Sequence, residues 1–132
     1  MMAVTIEVYL KIDFESETPI YTQLRNQIVE GIALSLVKDG EALPSVRQMA
    51  EDIGINLHTV NKAYTLLKAE GFIKLDRRKG ASINLNFDKL KENDIEKLKG
   101  GLRVIMAEAH CKKISKDEIV DLIYEIYSKY ER

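Results

Sequence analysis

A mainly α-helical fold with one small β hairpin is predicted by three observations on this sequence. Two short amphipathic helix patterns are joined by the three-residue turn Gly54-Ile55-Asn56. Two strand patterns follow at once, separated by a loop containing Arg77-Arg78-Lys79. A tail from Asp88 carries two more apolar stripes at helical spacing. These features predict a domain over residues 1–87 and a helical tail over 88–132.

Taken in order, the opening segment alternates Val4, Ile6, Val8, Leu10 and Ile12 with polar neighbours, a period of two that predicts a strand over about Val4–Asp13. Thr18-Pro19 reads as an N-cap followed by a first-position proline. Ile20, Leu24, Ile28 and Ile32 then form an i,i+4 stripe, and that helix is expected to end near Val37, before Lys38-Asp39-Gly40. Ser45 and Gln48 make a capping-box pattern that opens a second helix, with Val46, Met49, Ala50 and Ile53 on its buried face. Gly54 ends it, Asn56 caps a third, and Val60, Ala63, Tyr64 and Leu67 form the third helix's apolar face before Gly71 stops it. Phe72–Leu75 and Ala81–Leu85 are the two strands of the hairpin.

In the tail, Ile95, Leu98, Leu102, Ile105 and Ala109 recur at spacings of three and four. Ser115 and Glu118 form a second capping box before Ile119, Ile123, Ile126, Tyr127 and Tyr130. Gly100-Gly101 interrupts the first stripe, so a kink, a close helix crossing or a later helix start is expected there. Met49 and Met106 sit at stripe positions and read as core. Tyr21 and Tyr64 read as core-edge packing before any backbone contact.

Composition narrows the function. The 132 residues include 20 Lys+Arg and 21 Asp+Glu, one cysteine and two histidines. No intramolecular disulfide can form, and Cys111 reads as a partly buried small hydrophobe. With so few nitrogen and sulfur ligands, no metal site and no cofactor is expected, and no nucleophile–base pair or phosphate loop suggests an enzyme. No apolar run approaches the ~18 residues of a membrane span, and no secretory leader pattern opens the chain, so a soluble, cytoplasmic protein is expected. Charge is unevenly spread. Residues 1–43 hold three basic and seven acidic side chains, residues 44–83 seven and four, and residues 84–132 ten of each. The central excess of positive charge, with three consecutive cations at a hairpin tip, suits an anionic partner.

A helix-turn-helix followed at once by a basic hairpin is the winged-helix plan, in which the second helix of the pair enters the major groove and the hairpin reaches backbone or minor groove. Here the residues also resemble a known family. Leu43-Pro44-Ser45-Val46-Arg47, Thr59-Val60-Asn61-Lys62-Ala63-Tyr64 with Leu67, Glu70 and Gly71, and Arg77-Arg78-Lys79-Gly80 look like the winged-helix domain of the GntR family of bacterial transcription regulators. The short tail is similar to that of its YtrA-like subfamily. The resemblance implies double-stranded operator DNA as partner, a recognition helix over about 57–70 and a wing over 76–80. It implies DNA contacts from Ser45, Arg47, Asn56, His58, Thr59, Asn61, Lys62, Arg77, Arg78, Lys79 and Gly80. Arg47 falls on the family's phosphate-gripping position, while Lys62 or His58 is expected to reach a base edge. Leu57 stands where many members have proline, and His58 where asparagine is frequent. Repression is the expected sign of regulation, and the tail is expected to make a homodimer through Ile95, Leu98, Leu102, Ile105, Ile119, Ile123 and Ile126. A small-molecule effector is allowed but not indicated. The competing expectation is a winged helix that binds protein; it predicts a wing without cations and an apolar recognition helix, and in the exposed helix start only Leu57 favours it.

Overall fold

The structure is a computed structural model that describes residues 6–78, 80–85 and 92–131. The chain divides into two compact units, Met1–Asn86 and Phe87–Arg132. Val4 and Thr5 of the expected first strand, and Lys79 of the wing, lie outside the described residues.

The first unit runs α1 (Ile6–Tyr9), α2 (Ile20–Ala33), α3 (Val46–Ile53), α4 (Leu57–Ala69), β1 (Ile73–Asp76) and β2 (Gly80–Ile83). The strand expected over Val4–Asp13 is not formed by its described part: Ile6–Tyr9 is one turn of helix, with Ile6 and Leu10 buried four residues apart and Val8 exposed. A strand needs a partner ladder, which the described residues do not offer here, and side chains bond part of the backbone instead. Gln27 accepts from the Lys11 N–H (2.7 Å) and donates to the Lys11 carbonyl (2.8 Å), and Gln23 does the same for Asp13 at 2.8 and 2.9 Å. Two carboxamides on α2 thus hold the backbone of Lys11 and Asp13, which carries no ladder of its own.

Thr18 does not cap α2. Pro19 is the N-cap, without a side-chain bond, and the Thr18 carbonyl is occupied by Gln23 Nε2 at 2.8 Å. The helix also ends at Ala33, earlier than Val37, because Ser35 takes the left-handed conformation (φ 61°) while Leu36 N–H bonds to Gly31 O and Ser35 N–H to Ile32 O. That is the Schellman arrangement, with serine where glycine is usual. Gly71 (φ 90°) does the same for α4, with Phe72 N–H on Leu67 O and Gly71 N–H on Lys68 O.

The strands pair antiparallel from Ile73↔Ile83 to Asp76↔Gly80. On the other edge of β2, Leu43 N–H donates to Ala81 O and Ile83 N–H to Glu41 O, so residues 40–43 add a short third rung that no periodicity announced. One core joins these elements: Leu24 and Ile28 of α2, Met49 of α3, Val60, Tyr64 and Leu67 of α4, and Ile83 of β2 are fully buried. Arg25 grips Glu70 with two hydrogen bonds, 2.8 and 3.2 Å, and lies 5.6 Å from the centre of the Phe72 ring, tying α2 to the end of α4.

The second unit is α5 (Glu92–Cys111) and α6 (Lys116–Tyr130). Helix α5 continues without a break through Gly100-Gly101, where an added Cβ would meet nothing within 4 Å. Among the described residues no close crossing accounts for the pair. Its turn lacks glycine, and Lys113 itself adopts φ 63° while Ile114 N–H reaches Ala109 O. Ser115 and Glu118 form the complete capping box. Two expectations of burial are corrected: Cys111 is exposed, and so is Met106, because the faces carrying them are uncovered in the single chain.

Candidate nucleic-acid interface

The turn between α3 and α4 brings the N-termini of both helices to one open groove of about 450 Å³, lined by Ser45, Val46, Arg47, Leu57, His58 and Asn61. Local chemistry sets each start. Ser45 Oγ accepts from Gln48 N–H at 3.0 Å, but Gln48 does not reach back as a full box requires; its amide donates to Asp52 at 2.7 Å instead. Asn56 Oδ1 accepts from His58 N–H at 2.7 Å. Gly54 (φ 67°) lets the chain reverse in three residues. The two positive helix ends add to Arg47 in favouring an anion at this groove.

The groove is fixed from behind. The Tyr64 hydroxyl donates to the Pro44 carbonyl at 2.8 Å, so the recognition helix holds the residue just before Ser45. Burial pushes the Tyr64 phenol well above the usual tyrosine range, which keeps it a donor.

The structure unites some of the expected contact residues and separates others. Ser45, Arg47, His58 and Asn61 share the groove, with Asn56 capping at its edge. Thr59 is half-buried. Lys62 is exposed but turned elsewhere: its Nζ lies 4.1 Å from the centre of the Tyr21 ring, at the start of α2. Tyr21, read from sequence as packing, thus also bears on a predicted contact residue; its position in the chain offered no sign of that pairing. In the wing, Arg77 and Arg78 are exposed at the turn, Asp76 accepts from Arg78 N–H at 2.7 Å, and Gly80 has φ 75°. Leu57, which departs from the family's usual proline and is the residue of the helix start that favours a protein partner, also lines the groove.

Among the described residues no cluster of metal-ligating side chains occurs, and no helix is long and apolar enough to cross a membrane.

Comparison with known proteins agrees with this geometry. The profile described as bacterial regulatory proteins, gntR family, matches residues 17–83. The chain is 36% identical over 118 residues to the HTH-type transcriptional repressor YtrA of Bacillus subtilis (strain 168), covering 89% of this chain and 91% of that protein. Among solved structures, YtrA from Sulfolobus acidocaldarius, a GntR-family transcription factor, is 39% identical with a TM-score of 0.61, covering 78% of this chain and 98% of that one. A protein of Listeria monocytogenes EGD-e described as a transcriptional antiterminator superposes with a TM-score of 0.81 at 30% identity, over 89% of this chain and 88% of its own. The combination of groove, wing and matched residues has one reading: this chain belongs to the GntR family of bacterial regulatory proteins.

Proposed function

We propose that the chain is a sequence-specific DNA-binding transcriptional regulator, a repressor that binds a palindromic operator as a homodimer in the bacterial cytoplasm and catalyses no reaction. The observation that carries the reading is the convergence of Arg47, His58 and Asn61 with two helix N-termini at one exposed groove. Helix α4 lies in the major groove, where Asn61 suits a bidentate contact to adenine and His58 a base edge or phosphate. Arg47 fixes register through phosphate. Lys62, held beside α2, reaches the backbone and not a base. Arg77, Arg78, Lys79 and Gly80 carry the wing to phosphates or the minor groove.

Dimerisation rests on the tail. Ile95, Leu98, Leu102 and Ile105 on α5, with Ile123 and Ile126 on α6, are exposed in the single chain, while Ile119 is half-buried. An apolar surface of this extent marks an interface, and a second copy of the same two helices covers it with two-fold symmetry.

Selection of duplexes from a random pool by the intact protein tests the reading. An inverted repeat with half-sites about 34 Å apart, or a multiple of that, is expected. Failure to enrich any sequence favours the protein-binding winged helix, for which exposed Leu57 speaks.

A further inference from the structure

Leu57 opens α4 and is 41% exposed. The residues by which α4 enters the core are Val60, Ala63, Tyr64 and Leu67. Leu57 stands one turn ahead of Val60, and it belongs neither to the core cluster nor to the half-buried side chains packed against it. A single exposed leucine is ordinary on a protein surface. This one lies in the groove with Ser45, Arg47, His58 and Asn61, and Asn61 follows it by four residues on the same helix face. An apolar side chain among groups suited to a polyanion is desolvated only by an apolar feature of that polyanion. The major groove displays donors and acceptors along every base pair, and the apolar feature it offers is the C5 methyl group of thymine.

We propose that Leu57 is a specificity-determining residue that packs on a thymine methyl group while Asn61, one turn on, addresses a neighbouring adenine. The assignment rests on the DNA-binding reading and adds what that reading leaves open, the base chemistry seen by the start of α4. The preferred site therefore contains an A·T pair opposite the helix start in each half.

The test uses the intact protein and the duplex it selects, with each thymine replaced in turn by deoxyuridine, which removes only the methyl group. One position per half-site is expected to lose about fourfold in affinity, the effect of one buried methyl-sized group. Leu57→Ala is expected to bind the thymine and deoxyuridine duplexes equally at that position while keeping any discrimination elsewhere. Leu57→Ser gives the same result by a second variant, and Leu57→Met, which keeps an apolar tip, retains the preference. The assignment is overturned if no thymine replacement matters to the wild type, or if the sensitive position stays sensitive in Leu57→Ala and Leu57→Ser. Enrichment of a duplex with that result rejects Leu57's role alone; no enrichment rejects the DNA-binding reading and the assignment together.

Discussion

The Nζ of Lys62 lies 4.1 Å from the centre of the Tyr21 ring, so a cation of the recognition helix is held by an aromatic residue of α2, outside the helix-turn-helix. Held there, Lys62 is displaced from the groove that Asn61 and His58 line, and the two neighbours in sequence are expected to have different tasks. Lys62→Ala is expected to weaken all duplexes alike and to reduce the salt slope by about 0.9. Asn61→Ala is expected to cost about 1–3 kcal/mol of discrimination at one base pair. Titrations of the preferred and a scrambled duplex at several salt concentrations separate them; a change of preferred sequence in Lys62→Ala would place that lysine on a base.

The wing carries Arg77 and Arg78 at an exposed turn. Replacing Arg77, Arg78 and Lys79 by alanine should flatten the dependence of log affinity on log salt by up to about 0.9 per phosphate contact removed. Base preference should be retained. An unaltered slope removes the wing from the interface.

The tail presents Leu102 at 45% and Ile123 at 48% exposure in the single chain. Leu102→Glu or Ile123→Glu should place charge in the proposed dimer seam and yield a folded monomer with weak operator affinity, as read by sedimentation and circular dichroism. A wild-type monomer at micromolar concentration with full affinity would restrict dimerisation to the DNA-bound state.

Tyr64 links the groove to the core through its bond to Pro44. Tyr64→Phe should cost about 0.5–1.5 kcal/mol of stability at neutral pH. The wild-type phenol has its folded-state pKa raised by burial, so its contribution is complete below the unfolded value near 10 and is lost as pH rises above it. Denaturant midpoints of wild type and Tyr64→Phe should therefore converge between about pH 10 and 12. Parallel curves would dissociate the hydroxyl from the stability of the turn.

Gln23 is buried, and its carboxamide serves two groups of Asp13 and the carbonyl of Thr18. Gln23→Ala should cost about 1–3 kcal/mol, since it strands main-chain groups that no strand pairs. Gln27→Ala, on the more exposed Lys11, should cost less. Urea denaturation orders the two; equal losses would mean that water replaces Gln23 freely.

Several features were decided by sequence alone because they depend on neighbours within a few residues. The capping oxygens of Ser45, Asn56 and Ser115, the reversals at Gly54 and Gly71, and the stripe Val60, Ala63, Tyr64 and Leu67 act over one or two turns, and periodicity and side-chain type express them directly. The basic wing is likewise a local run of charge. Tertiary structure decided the rest. The alternation over residues 4–12 satisfies a strand pattern, yet Ile6 and Leu10 are also one helical turn apart; Ile6–Tyr9 form that turn, and the backbone of Lys11 and Asp13 after it is bonded by Gln27 and Gln23, sixteen and ten residues away. Ser35 and Lys113 adopt left-handed conformations that their residue types do not announce. The division of Lys62 from His58 and Asn61 depends on Tyr21 arriving from another helix. A side chain's partner across the fold is set by how helices pack, and no local spacing encodes it.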